Sequence, residues 1–212
     1  AGLEMAIWDI LGKQNNKSLY ELLEGMSSRV AVGVSVGLQS SPDALVKVVE
    51  RYLAMDPGLV FLIIDEDFLL NRKRAMEFRD CVIRGGKTLS IFAFASTKAI
   101  SQYKVEEILE MGIDGLWIGY EGTRSNYAKQ QGRPVEEILT EFREHGITVL
   151  ASMIVGFDYQ NQEVVAKELS GLMQLKPSLA QFLIYGPVPG TPFHERIIRE
   201  NLLQDRYTTD KD

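Results

Sequence analysis

Apolar residues along this chain follow two alternating rhythms. Short runs rich in β-branched and aromatic residues occupy positions 30–38, 59–64, 89–95, 115–119, 147–155 and 180–185. Between them the apolar positions fall at helical spacing. Leu45, Val48, Val49 and Tyr52 make one stripe; Val135, Ile138, Leu139 and Phe142 make a second at i, i+3, i+4, i+7; Val165, Leu169, Leu172 and Met173 make a third. Two more helical stretches, 3–13 and 19–23, precede the first run, and another, 192–203, follows the last. The punctuation agrees with this reading. Ser41-Pro42-Asp43 offers an N-cap, a proline for the first turn and an acid for the helix dipole. Gly85, Gly112 and Gly146 stand where helices end on a left-handed residue.

The six predicted strands start at intervals of roughly thirty residues, the length of a β-α-β unit. Strands separated by helices pair in parallel, and near-continuous apolar runs suit strands covered on both faces. The pattern fits either a doubly wound open sheet or a full or partial barrel. No Gly/Ser or Pro tract divides the chain, so a single α/β domain over residues 1–212 is expected, with extra terminal helices and a polar tail at 204–212.

Charge narrows the partners. A formal net charge of −6 disfavours nucleic acid and anionic membranes. No apolar run approaches the roughly 20 residues that span a bilayer. The opening Ala1-Gly2-Leu3-Glu4 has no initiator methionine and no signal-like stretch, which reads as an excerpt of a cytoplasmic or recombinant protein. Cys81 is the one cysteine. It reads as a small apolar residue packed on a helix, since one thiol closes no disulfide within the chain and holds no iron–sulfur cluster.

Two resemblances cover the sequence. Ala1-Gly2-Leu3-Glu4-Met5-Ala6-Ile7-Trp8-Asp9, Lys17-Ser18-Leu19-Tyr20-Glu21-Leu22-Leu23 and Val32-Gly33-Val34-Ser35-Val36-Gly37 resemble the enolase superfamily, in its o-succinylbenzoate synthase and N-acylamino acid racemase branch. The resemblance implies that residues 1–54 are entry helices, a first barrel strand and the helix after it. It also implies a Lys-x-Lys pair on the next strand, yet Leu59-Val60-Phe61-Leu62-Ile63-Ile64 has no lysine. From about residue 56 the chain resembles radical S-adenosylmethionine enzymes of the cobalamin-associated kind. The matching pieces are Ile64-Asp65-Glu66-Asp67-Phe68, Trp117-Ile118-Gly119-Tyr120-Glu121-Gly122, Ser152-Met153-Ile154-Val155-Gly156-Phe157 and Gly186-Pro187-Val188-Pro189-Gly190-Thr191-Pro192. That family holds a four-iron cluster on a Cys-x-x-x-Cys-x-x-Cys loop after its first strand; here the loop reads Gly37-Leu38-Gln39-Ser40-Ser41.

Together the resemblances imply a partial (β/α) TIM-like barrel of six parallel strands, enolase-like over 1–54 and radical-enzyme-like over 55–203. Such a chain reads as an engineered hybrid scaffold without a complete catalytic set. The alternatives are a residual S-adenosylmethionine-binding domain or an enolase-type fragment. No cofactor is expected beyond weak S-adenosylmethionine binding, and no iron–sulfur cluster; self-association through the barrel edges is expected. The resemblance places Asp65, Asp67, Glu121, Ser152, Gly156, Pro189 and Gly190 around the cofactor, while chemistry alone also allows solvated acids and ordinary turns. The basic run Arg72-Lys73-Arg74 with Arg79 reads as a solvated helix face, and His145 as a favourable charge at a helix C-terminus.

Overall fold

Helix signals at the start of the chain take effect at once in the computed structural model, which describes residues 2–25, 33–120 and 132–202. The chain divides into two compact units, Ala1–Leu38 and Gln39–Asp212. In the first, helix α1 (Gly2–Asn15) is followed by a turn through Asn16 and a short helix α2 (Leu19–Leu22). Ser18 and Glu21 close a reciprocal capping box on α2: the Glu21 amide donates to Ser18 Oγ at 3.3 Å, and the Ser18 amide to Glu21 Oε2 at 2.7 Å.

The second unit alternates as the sequence predicts. In chain order it holds α3 (Pro42–Met55), β1 (Phe61–Ile63), a 3-10 turn (Phe68–Leu70), α4 (Arg72–Gly85), β2 (Ile91–Phe94), α5 (Thr97–Ile100), α6 (Val105–Glu110), β3 (Ile113–Gly119), α7 (Val135–Glu144), β4 (Thr148–Val155), α8 (Gln162–Leu175), β5 (Leu179–Ile184) and α9 (Pro192–Arg199). The predicted caps form: Ser41 accepts from the Ala44 amide at the head of α3, and α4 ends on Gly86 at φ 63°, one residue past the predicted Gly85.

All strand pairs are parallel and the sheet runs β1-β2-β3-β4-β5. A doubly wound sheet must reverse its order at a switch point; this one never does. Right-handed crossovers in sequential order put the helices on one face, and the core follows. Ile91, Ala93, Leu116, Ile118 and Val149 meet Val46, Phe78, Ile108, Ile138 and Phe142 from the helices, all nearly or fully buried. The alternate residues, among them Phe94 and Trp117, face away from the helices; these two are register partners with rings stacked 4.9 Å apart.

Two predictions are corrected. Five strands form among the described residues, not six: residues 33–38 are described and carry no strand. A strand exists only through pairing, and Val34, Val36 and Leu38 are exposed. On α8 the buried face is Glu168 and Leu172, while the predicted Leu169 and Met173 are exposed. The buried face is rotated from the predicted stripe and takes in an acid.

Candidate functional site

A parallel sheet gathers every strand's C-terminal end on one edge, where the strand-to-helix loops meet. The candidate residues fall there in two groups. After β1, Asp65 takes the Asp67 amide at 3.1 Å on one oxygen and Arg74 Nη2 at 2.8 Å on the other. Asp67 reaches to the end of β2, accepting from the Ser96 amide at 3.2 Å and the Ser96 hydroxyl at 2.7 Å. That hydroxyl in turn caps α5 by accepting from the Ala99 amide. Asp67 is therefore a tether between two strand ends, and its half-buried carboxylate retains lone pairs on the loop side. Glu66 is exposed. An open depression of about 630 Å³ lies here, lined by Asp65, Glu66, Asp67, Leu70, Asn71, Arg72 and Arg74.

The second group lies at β4 and β5. Ser152 sits in register with Gly119 on β3 and Gln181 on β5, on the face opposite the helix-packed Ala151 and Met153. Past the strand end Gly156 adopts φ 103°, a conformation that side-chain-bearing residues avoid. Gln160 clamps this turn: its Oε1 accepts from the amides of Gly156 at 2.7 Å and Phe157 at 3.0 Å. Tyr185, whose amide bonds Val155 O at 2.7 Å, stands beside Gly156 and stacks on Phe193 of α9 at 4.4 Å. Phe157 packs against Tyr185 at 4.9 Å. Pro189 and Gly190 form the turn into α9, with Gly190 at φ 84° and Thr191 capping the helix.

The candidate Glu121 lies outside the described residues; Tyr120, the residue before it, follows β3, whose place in the sheet is between the two groups. The Tyr120 amide donates to Ser152 O at 2.6 Å, and its side chain is buried against α8. Burial pushes the Tyr120 phenol up, with Glu168 and then Glu136 acting in the same direction. Ser96, Gln160, Glu168 and Tyr185 went unread in the sequence. Ser96 and Gln160 each sit just before a helix, a place usually explained by capping alone. The basic run is also corrected: Arg72 pairs with Glu107 at 2.8 Å, Arg74 with Asp65, and Arg79 with Glu110 at 3.2 Å, so three of its members are engaged rather than merely solvated. His145 caps α7, with Nδ1 2.8 Å from Glu141 O. Among the described residues no three or more His, Cys, Asp or Glu gather as a metal site, and no helix is long and apolar enough to cross a membrane.

No family model matches the chain. It is 26% identical over 155 residues to an uncharacterized methyltransferase of Pyrococcus horikoshii, covering 69% of this chain and 34% of that protein. It is 43% identical over 54 residues to the o-succinylbenzoate synthase of Geobacillus kaustophilus, covering 26% of this chain and 14% of that enzyme. Among solved structures it is similar to the radical S-adenosylmethionine methyltransferase TsrM from Kitasatospora setae, with a TM-score of 0.62 at 16% identity over 76% of this chain and 34% of that one. The chain thus spans about a third or less of the proteins it matches.

The TsrM structures carry cobalamin and a [4Fe-4S] cluster, or a tryptophan substrate and an S-adenosylmethionine analogue. They overturn the cofactor-free expectation, because the fold this chain shares is one that carries cofactors in those proteins. What these residues supply is narrower. The single cysteine is buried in α4 with Arg84 Nη2 3.0 Å from its sulfur, and one thiol does not supply the three that the cluster needs, so the residues present do not fit the cluster. The first part of the chain is similar to the enolase superfamily, and the remainder to radical S-adenosylmethionine methyltransferases.

Proposed function

We propose that this chain is a hybrid scaffold, enolase-like over residues 1–54, whose second unit is a partial barrel binding S-adenosylmethionine or its adenosyl products at the C-terminal edge of the sheet. The observation that carries the reading is the β4–β5 rim. There a glycine turn at φ 103° lies against the backbone and Cβ of Tyr185, and Ser152 stands four residues before it on the face opposite the helix-packed residues. An adenosyl group needs these three things: backbone that permits close approach, an aromatic surface to stack on, and a hydroxyl for the ribose. Asp67 adds an anion for the methionine ammonium, at the other end of the same edge. The fold match and the methyltransferase relative support the reading. Binding is what is proposed, without a full catalytic set.

Isothermal calorimetry on the purified chain tests it, with S-adenosylmethionine, S-adenosylhomocysteine and adenosine as separate titrants. Saturable one-to-one binding of all three is expected. Asp67→Asn keeps an acceptor for Ser96 but removes the charge; it is expected to weaken S-adenosylmethionine by about tenfold, or about 1.4 kcal/mol, and to leave adenosine unchanged. Heats indistinguishable from dilution for all three titrants sink the reading.

A further inference from the structure

Glu168 is a buried acid behind the Gly156 turn. On α8 it is 2% exposed, one of two polar residues buried among the described ones, and its Oε1 has no hydrogen-bond partner. Its other oxygen accepts from Gln160 Nε2 at 2.8 Å. Gln160 is fully committed by its surroundings. Its nitrogen faces two acceptors, Glu168 Oε2 and Ile154 O at 3.3 Å, and its oxygen faces two donors, the amides of Gly156 and Phe157. Reversing the amide would set like against like at all four contacts, so the orientation is fixed by the network.

We propose that Glu168 is a positioning residue that holds the Gly156-Phe157 turn in its open, left-handed form by orienting Gln160. The chain of contact runs from the helix to the strand end: Glu168 fixes the Gln160 nitrogen, and the Gln160 oxygen then receives both turn amides. Without the acid, Gln160 Nε2 keeps only the longer bond to Ile154 O, and the shorter of the two contacts that hold the nitrogen end of the rotamer is lost. The acid is a poor choice for stability. An apolar side chain of its size, beside Leu172, would leave no orphaned oxygen in the core, and buried polar groups lacking a partner destabilise. A residue that costs stability and organises a loop is expected where the loop has a task. The consequence for ligand affinity rests on the adenosyl-binding reading above; the consequence for the turn does not.

The test uses the whole chain as wild type, Glu168→Leu and Glu168→Gln. Amide hydrogen exchange at Gly156 and Phe157 is followed by NMR without ligand, alongside thermal melting. S-adenosylmethionine calorimetry follows on the same samples. Glu168→Leu is expected to melt at or above the wild-type temperature. At the same time the two turn amides should exchange at least tenfold faster, and S-adenosylmethionine affinity should fall about tenfold. Glu168→Gln keeps an acceptor for Gln160, so exchange and affinity should return toward wild type. Unchanged exchange in Glu168→Leu overturns the proposal. So does a lower melting temperature with faster exchange throughout the core, which marks an ordinary packing residue. If the wild type binds no S-adenosylmethionine, the adenosyl reading fails, while the exchange arm still decides the role of Glu168.

Discussion

Arg72 and Glu107 meet as two planar forks, Nη2 to Oε1 at 2.8 Å and Nη1 to Oε2 at 3.3 Å, with Arg79 behind at 3.9 Å. The hydrogen bonds from Arg72 hold the Glu107 carboxyl below its ordinary value, against a smaller opposing effect of burial. A carboxyl held low in the folded state stabilises fully above its unfolded value, about 4.3. That contribution fades as pH falls through the lower, folded value. Arg72 is 40% exposed and screened by water, so the contribution is about 1 kcal/mol or less. Urea unfolding at a series of pH values should show Glu107→Gln less stable than wild type by that amount at pH 7, with the two converging in acid. At this scale the sequence was half legible. It placed Asp65 and Asp67 at a strand end and Cys81 inside a helix. It did not show that Asp67 is spent on Ser96, because that bond spans 29 residues and exists only once β1 and β2 pair. Nor did it show Glu168, since an acid in an amphipathic stretch is counted with the solvent face until its surroundings are known.

Elements were read more fully than residues, for a physical reason: helix stripes and caps are local, and their neighbours lie within a turn or two. The buried face of α7, Ile138, Leu139 and Phe142, is the one its spacing predicts. The missing sixth strand marks the limit of that reading, because alternation in residues 33–38 states a preference and pairing requires a partner. Gly112 shows an element boundary set by one residue. α6 ends at Glu110 with Met111 as its C-cap, and Gly112 at φ 79° turns the chain straight into β3 while its carbonyl accepts from the Ile91 amide at 2.8 Å. A Cβ there would lie 2.5 Å from Leu89 Cβ. Both the dihedral and the clash oppose alanine, so Gly112→Ala should destabilise the second unit by about 1–3 kcal/mol. Chemical denaturation followed by circular dichroism measures it; a variant as stable as wild type would show that the junction relaxes freely.

For the molecule as a whole, sequential strand order leaves a consequence at the edges. Five parallel strands do not close on themselves, and among the described residues β1 and β5 each have one strand neighbour. Natural sheets usually shield such outer strands with charge, bulges or cover. Here the side chains do the opposite: Leu179, Phe182 and Ile184 on β5 are 57%, 49% and 86% exposed, and Leu62 on β1 is 55% exposed. No lysine or arginine stands within either strand. We propose that a second copy of the chain covers these edges, since two open arcs of one sheet offer each other the backbone partners and apolar area that each lacks. Light scattering over a concentration series should then give a mass that rises above that of the monomer. Ile184→Lys puts a charge on the β5 edge at a position so exposed that folding loses little. It should shift the mass toward the monomer with its thermal melt nearly unchanged. A wild type that scatters as a monomer at every concentration rules out this assembly, and a variant that associates as strongly as wild type moves the contact away from β5.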